Sequence, residues 1–399
     1  MSQDKPLSGI KVLELGTLIA GPFCTRILGE FGAEVIKVEQ PGRGDPLRTW
    51  SLTTEKGSLW SMVQSRNKKS ITIDMHQAEG QEIVRKLAAQ VDVVVENFRP
   101  GKLAEWGLGY DRLKEINPRL IMVSISGFGQ DGPYSDRVGF GSIGEAMGGI
   151  RSVTGEPDGP PMRVGISLGD SVASLYGVIG VLLALYHRDI HQEQRGQHID
   201  IALTEAIFSL LESMLPEYDY FNVIRNRRGN LLLGAAPSNV YKTKDGKWLA
   251  IGGNADNIFE RLMVAIGRPE VADDPRYATN KLRIQNVSEL DAIISEWAAT
   301  KTMEEAMEIL NKASVPTGPI YNIEDIANDP HYLARDMILT VQTPVGLLKM
   351  PGIVPKLSNT PGEIKWAGPE LGTHTAEVLS QYLGLTRGEL VELREKQVI

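Results

Sequence analysis

The carboxylate of Asp170 has the setting that most suggests chemistry. It stands between Gly169 and Ser171, ahead of the apolar run 172–185. An acid at such a point is typical of a helix N-cap. The helix dipole and the free amides would keep that carboxylate ionised, and an ionised carboxylate can attack an acyl carbon. The residue types alone leave both roles open, a cap and a nucleophile.

Basic side chains recur near the ends of the strands that the sequence predicts. They are Lys37, Arg43, Arg48, Lys68, Lys69, Arg99, Lys102 and Arg137. Any one of them could be a solvated surface residue. Their concentration in a chain of net charge -8 instead suits one small polyanion bound at one side of a sheet. The same net charge argues against nucleic acid or an anionic membrane as the main partner.

Two glycine-containing turns could supply backbone donors. The first, residues 16–22, joins the first predicted strand to a helix, where amides would suit a phosphate. It matches neither a dinucleotide fingerprint nor a P-loop, which disfavours an NAD or ATP enzyme, and plain turn chemistry is the alternative. The second, Gly252-Gly253, could donate to an oxyanion or could be an ordinary loop between hairpin and helix.

The histidines and the cysteine give no metal-site spacing. His187 and His191 are four residues apart, but they lie at a polar helix end. Cys24 lies in an apolar helix and is expected in the core. We therefore expect no metal. With one cysteine and no disulfide, we expect a reducing compartment: the cytoplasm, or the mitochondrial matrix in a eukaryote.

Alternating apolar strands and helices must position these side chains. Strands are predicted over residues 11–15, 34–39, 70–74, 91–96, 120–126 and 198–203. Helices are predicted over residues 24–31, 77–90, 107–117, 171–187 and 205–214. This alternation predicts an α/β fold with a parallel sheet covered on both faces, whose ligands bind at the carboxyl ends of the strands. Residues 127–170, rich in Gly, Pro and Asp, are predicted to be loop.

A second, smaller domain is predicted after this sheet. Two short strands, 240–243 and 247–251, flank Lys244-Asp245-Gly246, which is a strong hairpin signal. The predicted division is a large domain with its N-terminal part at 1–216, a linker at 217–236, a small α+β domain at 237–325, and a return linker with the C-terminal part of the large domain at 326–399. The longest apolar stretch, 178–186, is too short to span a bilayer, so we expect no membrane partner.

Short motifs run in order over nearly the whole chain. They are GIKVLEL (9–15), AGP (20–22), GAEVIKVE (32–39), NKKSI (67–71), ENFRPG (96–101), TG with GPP (154–155, 159–161), LGD (168–170), RGQ (195–197), PTGP (316–319) and LGTHT (371–375). Together they resemble the carnitine/bile-acid (class III) coenzyme A transferases, the CaiB/BaiF family.

The resemblance implies a fold and a chemistry. The fold is a Rossmann-like large domain with a small α+β domain, and two chains interlocked like links of a chain in an obligate homodimer. In the chemistry, an Asp carboxylate attacks an acyl-CoA to give a mixed anhydride, and the released CoA thiolate then forms an aspartyl-CoA thioester. An incoming carboxylic acid attacks that thioester and leaves as the new acyl-CoA. Coenzyme A is then a substrate, and no permanently bound cofactor is expected.

The resemblance also implies site residues. Asp170 would be the nucleophile, and the Gly252-Gly253 loop would cover the intermediate. The residues implied in the CoA groove are Ile19, Ala20, Lys37, Lys69, Asn97, Phe98, Arg99, Lys102 and Arg137.

Departures from the family pattern bear on the activity. Ile19 stands where formyl-CoA transferases carry Gln, and Glu105 where they carry Arg, so formyl-CoA/oxalate exchange is a weaker alternative. Residues 138–141 lack the His of related acyl-CoA racemases, which disfavours a racemase or epimerase. The segment 152–156 resembles the branch that exchanges CoA among dicarboxylic acids. We therefore expect succinyl-CoA or a similar dicarboxyl-CoA as donor and a free carboxylic acid as acceptor; CoA binding without turnover is the remaining alternative.

Overall fold

The computed structural model describes residues 5–191 and 194–399, which form two compact units. The first is drawn from Met1–Arg151, Arg163–Ile224 and Ala334–Ile399, and the second from Ser152–Met162 and Arg225–Leu333. The segment Ser152–Met162 thus falls in the second unit, although the sequence division placed it in the large domain. Its backbone explains this, since the Gly155 carbonyl accepts a hydrogen bond from the Gly229 amide at 2.9 Å.

The strands are, in chain order, β1 (Lys11–Glu14), β2 (Glu34–Glu39), β3 (Thr53–Thr54), β4 (Gly57–Ser58), β5 (Lys68–Thr72), β6 (Val93–Glu96), β7 (Ile121–Ser126), β8 (His198–Ala202), β9 (Ser238–Lys242), β10 (Trp248–Gly252), β11 (Thr317–Pro319), β12 (Ile338–Thr343) and β13 (Gly346–Pro351). The helices are α1 (Ala20–Glu30), α2 (Leu59–Gln64), α3 (Ala78–Ala88), α4 (Lys102–Glu105), α5 (Tyr110–Ile116), α6 (Gly141–Met147), α7 (Leu168–Ile190), α8 (Leu203–Phe208), α9 (Met214–Phe221), α10 (Asp256–Ala265), α11 (Pro269–Ala272), α12 (Asn280–Gln285), α13 (Val287–Ala298), α14 (Met303–Lys312), α15 (Ile323–Asn328), α16 (Pro330–Ala334), α17 (Thr375–Leu383) and α18 (Arg387–Glu395).

A parallel six-stranded sheet organises the first unit, in the order β5-β2-β1-β6-β7-β8. The prediction of an α/β fold with a parallel sheet is confirmed. The strands are apolar runs such as VVVE in β6 and IMVSIS in β7, buried at every position, because helices cover both faces. The chain runs from β1 outward to β2 and β5 and then returns to β6 on the other side of β1. The loops after β1 and β6 therefore diverge, and a crevice opens between them at the carboxyl edge.

An antiparallel sheet organises the second unit, in the order β11-β10-β9. The predicted hairpin is present: Gly246 takes the positive φ of +80° that its tight turn requires. The core of this unit joins the sheet to α10, α13 and α14, through residues that include Leu249, Leu262, Ile294 and Leu310.

Two helices of the first unit differ from their predicted form. The helix α6 lies inside 127–170, which the sequence predicted to be loop, and α7 begins at Leu168, three residues before its predicted start. Glycines have low helix propensity, so the sequence of α6 resembles a loop. They are needed for its packing, because a Cβ on Gly144 would lie 2.7 Å from the Cβ of Leu203. Both differences matter because these two helices carry acidic residues that meet near a cavity.

The helix α7 has one packed face and one uncovered apolar face. Gly177 and Val181 are buried in the core beside Cys24, and a Cβ on Gly177 would lie 3.0 Å from the Cys24 sulfur. The exposed apolar residues are Leu175, Tyr176, Ile179, Leu182, Leu183, Tyr186 and Ile190. By length and composition alone this helix could cross a membrane, since its apolar character extends beyond the stretch 178–186 considered in the sequence. The core helix of a soluble protein can have the same length and composition, and the packed face of α7 lies against α1 and the sheet.

Four buried charged side chains tie β1, β2 and β5 together. The Glu14 carboxylate on β1 lies 2.6 Å from the Lys37 ammonium on β2 and 2.7 Å from the Lys68 ammonium on β5. Asp45, which follows β2, lies 2.8 Å from the Lys37 ammonium. Burial alone would raise the pKa of Glu14, but the two lysines hold it below its usual value. Burial lowers the pKa of Lys68 to about 8, against the attraction of Glu14.

Removing the central carboxylate should destabilise the first unit. Glu14→Gln keeps the size of the side chain but leaves the buried Lys68 ammonium without its charged partner, a change that costs about 3–5 kcal/mol in other proteins. We expect a lower midpoint of urea unfolding, followed by circular dichroism. The control is Glu370→Gln, which breaks an exposed pair with Lys56 and should leave the midpoint unchanged. Equal midpoints for Glu14→Gln and the unmodified protein would contradict the prediction.

Candidate active site

A cavity of about 520 Å³ lies in the crevice between the ends of β1 and β6. Its wall is formed by the loops after these strands, by the end of β7, and by the segments that lead into α6 and α7. The residues contributed by the two loops are Thr17, Leu18, Ile19, Ala20, Asn97, Phe98, Arg99 and Pro100. The position is the one expected for ligands of a parallel sheet, beyond the carboxyl ends of the strands where the strand order reverses.

The cavity brings together seven of the residues singled out from the sequence. They are Ile19, Ala20, Asn97, Phe98, Arg99, Arg137 and Asp170. Arg137 stacks over the Tyr134 ring with its guanidinium carbon 3.6 Å from the ring centre. Arg99 donates a hydrogen bond of 2.9 Å to the Asp136 carbonyl. Two guanidinium groups with local support thus line one wall of the cavity.

Three lysines singled out from the sequence lie elsewhere in the first unit. The Lys37 ammonium is buried with Glu14 and Asp45, so it faces the interior. The Lys69 ammonium lies 2.9 Å from Glu34 and 2.8 Å from Glu377. Lys102 pairs with the next turn of its own helix, at 2.9 Å from Glu105. Each is engaged by carboxylates, and the structure does not place any of the three on the cavity wall.

Gly252 and Gly253 belong to the second unit, at the end of β10. The Gly252 amide donates to the Pro316 carbonyl and the Gly253 amide to the Pro237 carbonyl, each at 2.9 Å. Both N–H groups therefore serve the fold of that unit in this structure. An oxyanion would have to displace those carbonyls before it could accept hydrogen bonds from this pair.

The loop after β1 is held in one conformation by its neighbours. Asn97 accepts a hydrogen bond from the Thr17 amide at 2.8 Å and donates one to the Thr17 carbonyl at 2.9 Å. Leu18 has a φ of +63°, which is unfavourable for a side chain with a Cβ. Its amide donates to both carboxylate oxygens of Asp45, at 3.0 and 3.1 Å. These bonds hold a strained backbone in place and fix this side of the cavity.

Asp170 is the third residue of α7, and its side chain does not cap the helix. The N-cap position is Ser167. The predicted capping role of Asp170 is therefore wrong, because the helix begins earlier than its apolar run. The carboxylate instead lies against bare backbone: a Cβ on Gly141 would be only 2.1 Å from Asp170 Oδ2. One turn later, Ser174 donates to the Ala20 carbonyl at 2.7 Å and so ties α7 to the start of α1.

The electrostatic surroundings raise the pKa of Asp170 to about 6. Burial is the main cause, the negative charge of Glu145 adds to it, and Arg163 opposes it. This reverses the expectation that a helix start would keep the pKa low. Glu145, on α6, is itself buried, with its carboxylate 3.3 Å from Arg151 and 3.8 Å from Arg163. It also accepts a hydrogen bond of 3.3 Å from the Gly169 amide.

Sequence analysis missed three residues of this site. Asp45 carries no motif of its own and acts through the amide of Leu18. Glu145 lies in the segment predicted to be loop, although Ile143 and Met147 four residues apart are a weak helical signal around it. Arg163 stands alone in a segment rich in Gly and Pro, where nothing in one sequence distinguishes it from a solvated side chain.

Comparison with known proteins identifies the class. Residues 7–375 match CoA-transferase family III. The chain is 51% identical to the succinyl-CoA–D-citramalate CoA-transferase of Chloroflexus aurantiacus, over 99% of this chain and 98% of that protein. It is 44% identical to the succinyl-CoA–L-malate CoA-transferase beta subunit of the same organism, with the same coverage of 99% and 98%. A solved CaiB/BaiF family protein from Brucella suis matches with a TM-score of 0.86 at 36% identity, over 95% of this chain and 100% of that one.

The chain belongs to CoA-transferase family III, and it is a CoA-transferase. The family suggested by the motifs is thereby confirmed, and CoA binding without turnover is set aside. CoA thioesters are the substrates of this family, which gives the cavity at the sheet edge its chemical context.

The raised pKa of Asp170 predicts a pH-dependent activity. The nucleophilic role that the motif resemblance implies for Asp170 requires the ionised form, so that role predicts a kcat/KM for the acyl-CoA donor that rises with pH through about 6 and then levels off. Glu145→Gln removes a nearby negative charge and should move the midpoint down by about one pH unit. Steady-state rates measured from pH 4.5 to 8 test this. A midpoint unmoved by Glu145→Gln, or moved upward, would contradict the assignment of cause.

Proposed function

We propose that this enzyme transfers CoA from succinyl-CoA, or a similar dicarboxyl-CoA, to a free carboxylic acid, with Asp170 as the nucleophile. One observation carries the assignment: among the described residues that line the cavity, Asp170 is the one carboxyl group. The donor is supported by relatives whose names specify succinyl-CoA, at 51% and 44% identity.

The chemistry requires four exchanges at carbonyl carbons. A carboxylate oxygen of Asp170 attacks the thioester carbon of the donor, the C–S bond breaks, and CoA leaves as thiolate, which gives a mixed anhydride. The thiolate attacks the Asp170 carbonyl carbon, releases the first acid as carboxylate and leaves an aspartyl-CoA thioester. The acceptor carboxylate attacks that carbonyl carbon and displaces the thiolate. The thiolate then attacks the acceptor's carbonyl carbon, which releases the new acyl-CoA and restores the Asp170 carboxylate.

The CoA moiety is proposed to bind along the wall that carries Arg99 and Arg137. These two guanidinium groups offer paired donors to phosphate oxygens. Ile19 and Ala20 lie at the start of α1, where amides and the helix dipole favour an anion, and Phe98 supplies apolar surface. The proposal for this groove is limited to residues on the cavity wall, so Lys37, Lys69 and Lys102 are not part of it.

The segment before α6 argues against the racemase alternative. Val138, Gly139, Phe140 and Gly141 all line the cavity, and none of them carries a titratable group. Exchange of an α-proton requires a base within reach of that carbon. In this part of the wall the structure offers apolar surface and backbone instead.

Loss of the Asp170 carboxylate should abolish transfer. We expect Asp170→Asn to lower kcat by at least about 1,000-fold, because no other described residue of the cavity wall carries a carboxyl group that could form the covalent intermediate. Hydroxylamine added after succinyl-CoA should cleave an acyl-enzyme and mark Asp170 as a hydroxamate, detected by mass spectrometry. The control is Asp131→Asn, an exposed acid outside the cavity wall, which should keep full activity. Unimpaired transfer by Asp170→Asn would falsify the proposal.

We further infer an interlocked homodimer, in which a second copy covers the exposed face of α7. The uncovered apolar residues lie on one long helix, and an apolar surface of that kind in a soluble protein marks an interaction site. The motif resemblance supplies the chain-link arrangement. The coverage of this face by a second copy would also remove the surface that makes α7 look suited to a membrane.

A charge in this face should disrupt the dimer. Leu183 is 64% exposed, and Leu183→Glu places a carboxylate where the second copy would pack. We expect the unmodified protein to sediment with twice the mass of one chain, and Leu183→Glu to yield monomer or insoluble protein. Val391→Glu, at an exposed apolar position on α18, is the control and should remain dimeric. A monomeric unmodified protein, or an intact Leu183→Glu dimer, would argue against this interface.

A further inference from the structure

Arg163 is a half-exposed arginine on the cavity wall, a few residues ahead of α7. Its side chain is 51% exposed, and its Nε lies 3.8 Å from the Glu145 carboxylate, too far for a hydrogen bond. The guanidinium can therefore take up another anion in the cavity. We propose that Arg163 binds the second carboxylate of the dicarboxylic group that reacts at Asp170, an inference that rests on the proposed function above.

The charges around Asp170 support this role. With Asp170 ionised, the acids Asp170 and Glu145 balance the bases Arg151 and Arg163. Once Asp170 is acylated, as an anhydride or a thioester, it carries no charge, and the cluster is left with one positive charge in excess. A second carboxylate on the acyl group restores the balance. A monocarboxylic acyl group of the same length does not.

Glu145 gives Arg163 a defined place without neutralising it fully. Its carboxylate is buried and shared between Arg151 at 3.3 Å, Arg163 at 3.8 Å and the Gly169 amide at 3.3 Å. The closest charged partner of Glu145 is thus Arg151. Arg163 is held at the edge of this cluster with donors left for a ligand, since a guanidinium has five N–H groups.

The other two arginines of the wall are less suited to this role. Arg99, which follows β6, donates to the Asp136 carbonyl, and Arg137, which precedes α6, stacks on Tyr134. Arg163 is the one of the three that affects the charge state of Asp170. In succinate the two carboxyl carbons are three bonds apart, roughly 4 Å when extended, so an acyl group on Asp170 needs a partner close to that residue.

Identity exchange tests the proposal without knowledge of the natural acceptor. Labelled succinate is exchanged into succinyl-CoA, and labelled butyrate into butyryl-CoA, which has the same chain length and no second carboxylate. For Arg163→Gln we expect kcat/KM for succinate exchange to fall by about 10- to 100-fold, the size of a lost charge-assisted hydrogen bond. Both exchanges are measured at pH 8, well above the pKa of Asp170, so that the lost attraction between Arg163 and the ionised carboxylate does not enter the rates. Butyrate exchange should then stay within about twofold, as should the Kd for free CoA, measured by calorimetry. Arg163→Lys, which keeps the charge, should recover part of the succinate exchange.

The controls separate the possible failures. Arg276→Gln removes an arginine of similar exposure, 56%, which pairs with Asp274 in the second unit, and should change neither exchange. Absence of succinate exchange in the unmodified enzyme would overturn succinyl-CoA as the donor in the proposed function. Equal losses for succinate and butyrate, a weakened Kd for CoA, or unchanged succinate exchange in Arg163→Gln would each overturn the role of Arg163 alone. Butyrate exchange could be undetectable in every variant. In that case the proposal is supported if Arg163→Gln slows succinate exchange, leaves the Kd for CoA unchanged, and Arg163→Lys recovers part of the rate. Any other combination of these results overturns it.

Discussion

Burying the carboxylate of Glu14 is tolerable only because two ammonium groups meet it inside the sheet. Each of the three residues comes from a different strand: Glu14 from β1, Lys37 from β2 and Lys68 from β5. An unpaired charge at this depth would cost several kcal/mol, so the strands can associate only in the order that brings the charges together. The cluster therefore imposes a register on the half of the sheet in which apolar residues alone would permit several.

The same cluster shapes the cavity, because it extends beyond the strands into the loop that follows β1. Lys37 donates to the Gly16 carbonyl at 3.0 Å, and Asp45, paired with Lys37, accepts the amide of Leu18. The loop is thereby held with Leu18 at a positive φ, and α1 starts in a fixed place. The Ala20 carbonyl at that start accepts the hydroxyl of Ser174, one turn beyond Asp170. Polar contacts, joined by the short backbone segment 18–20, thus connect the charges in the sheet to the position of the proposed nucleophile.

Structural features that depend on a local sequence pattern could be predicted from the sequence. The strand over 34–39 was predicted with its observed bounds, and Asp170, chosen for its motif, lies on the wall of the cavity. The position of a lysine side chain depends instead on its tertiary partners. In the sequence Lys37 and Lys69 both look like surface cations. In the structure Lys37 is buried among acids of the sheet, and Lys69 pairs with Glu34 and Glu377. Glu145 was missed because the glycines that allow α6 to pack closely are also what make its segment read as loop. Long-range charge pairing and close backbone approach are both invisible in one sequence.

The burial that raises the pKa of Asp170 also favours its proposed reaction. A carboxylate with a pKa of about 6 is still roughly nine-tenths ionised at pH 7, and it is more basic than a solvated one. Its charge is poorly solvated and lies near the charge of Glu145, so the ionised resting state is raised in free energy. Acylation removes that charge, and the unfavourable terms disappear with it. Glu145 would thus promote the first step by repulsion while it holds Arg163 beside the acyl group, which links the reactivity of the nucleophile to the choice of a dicarboxylic substrate.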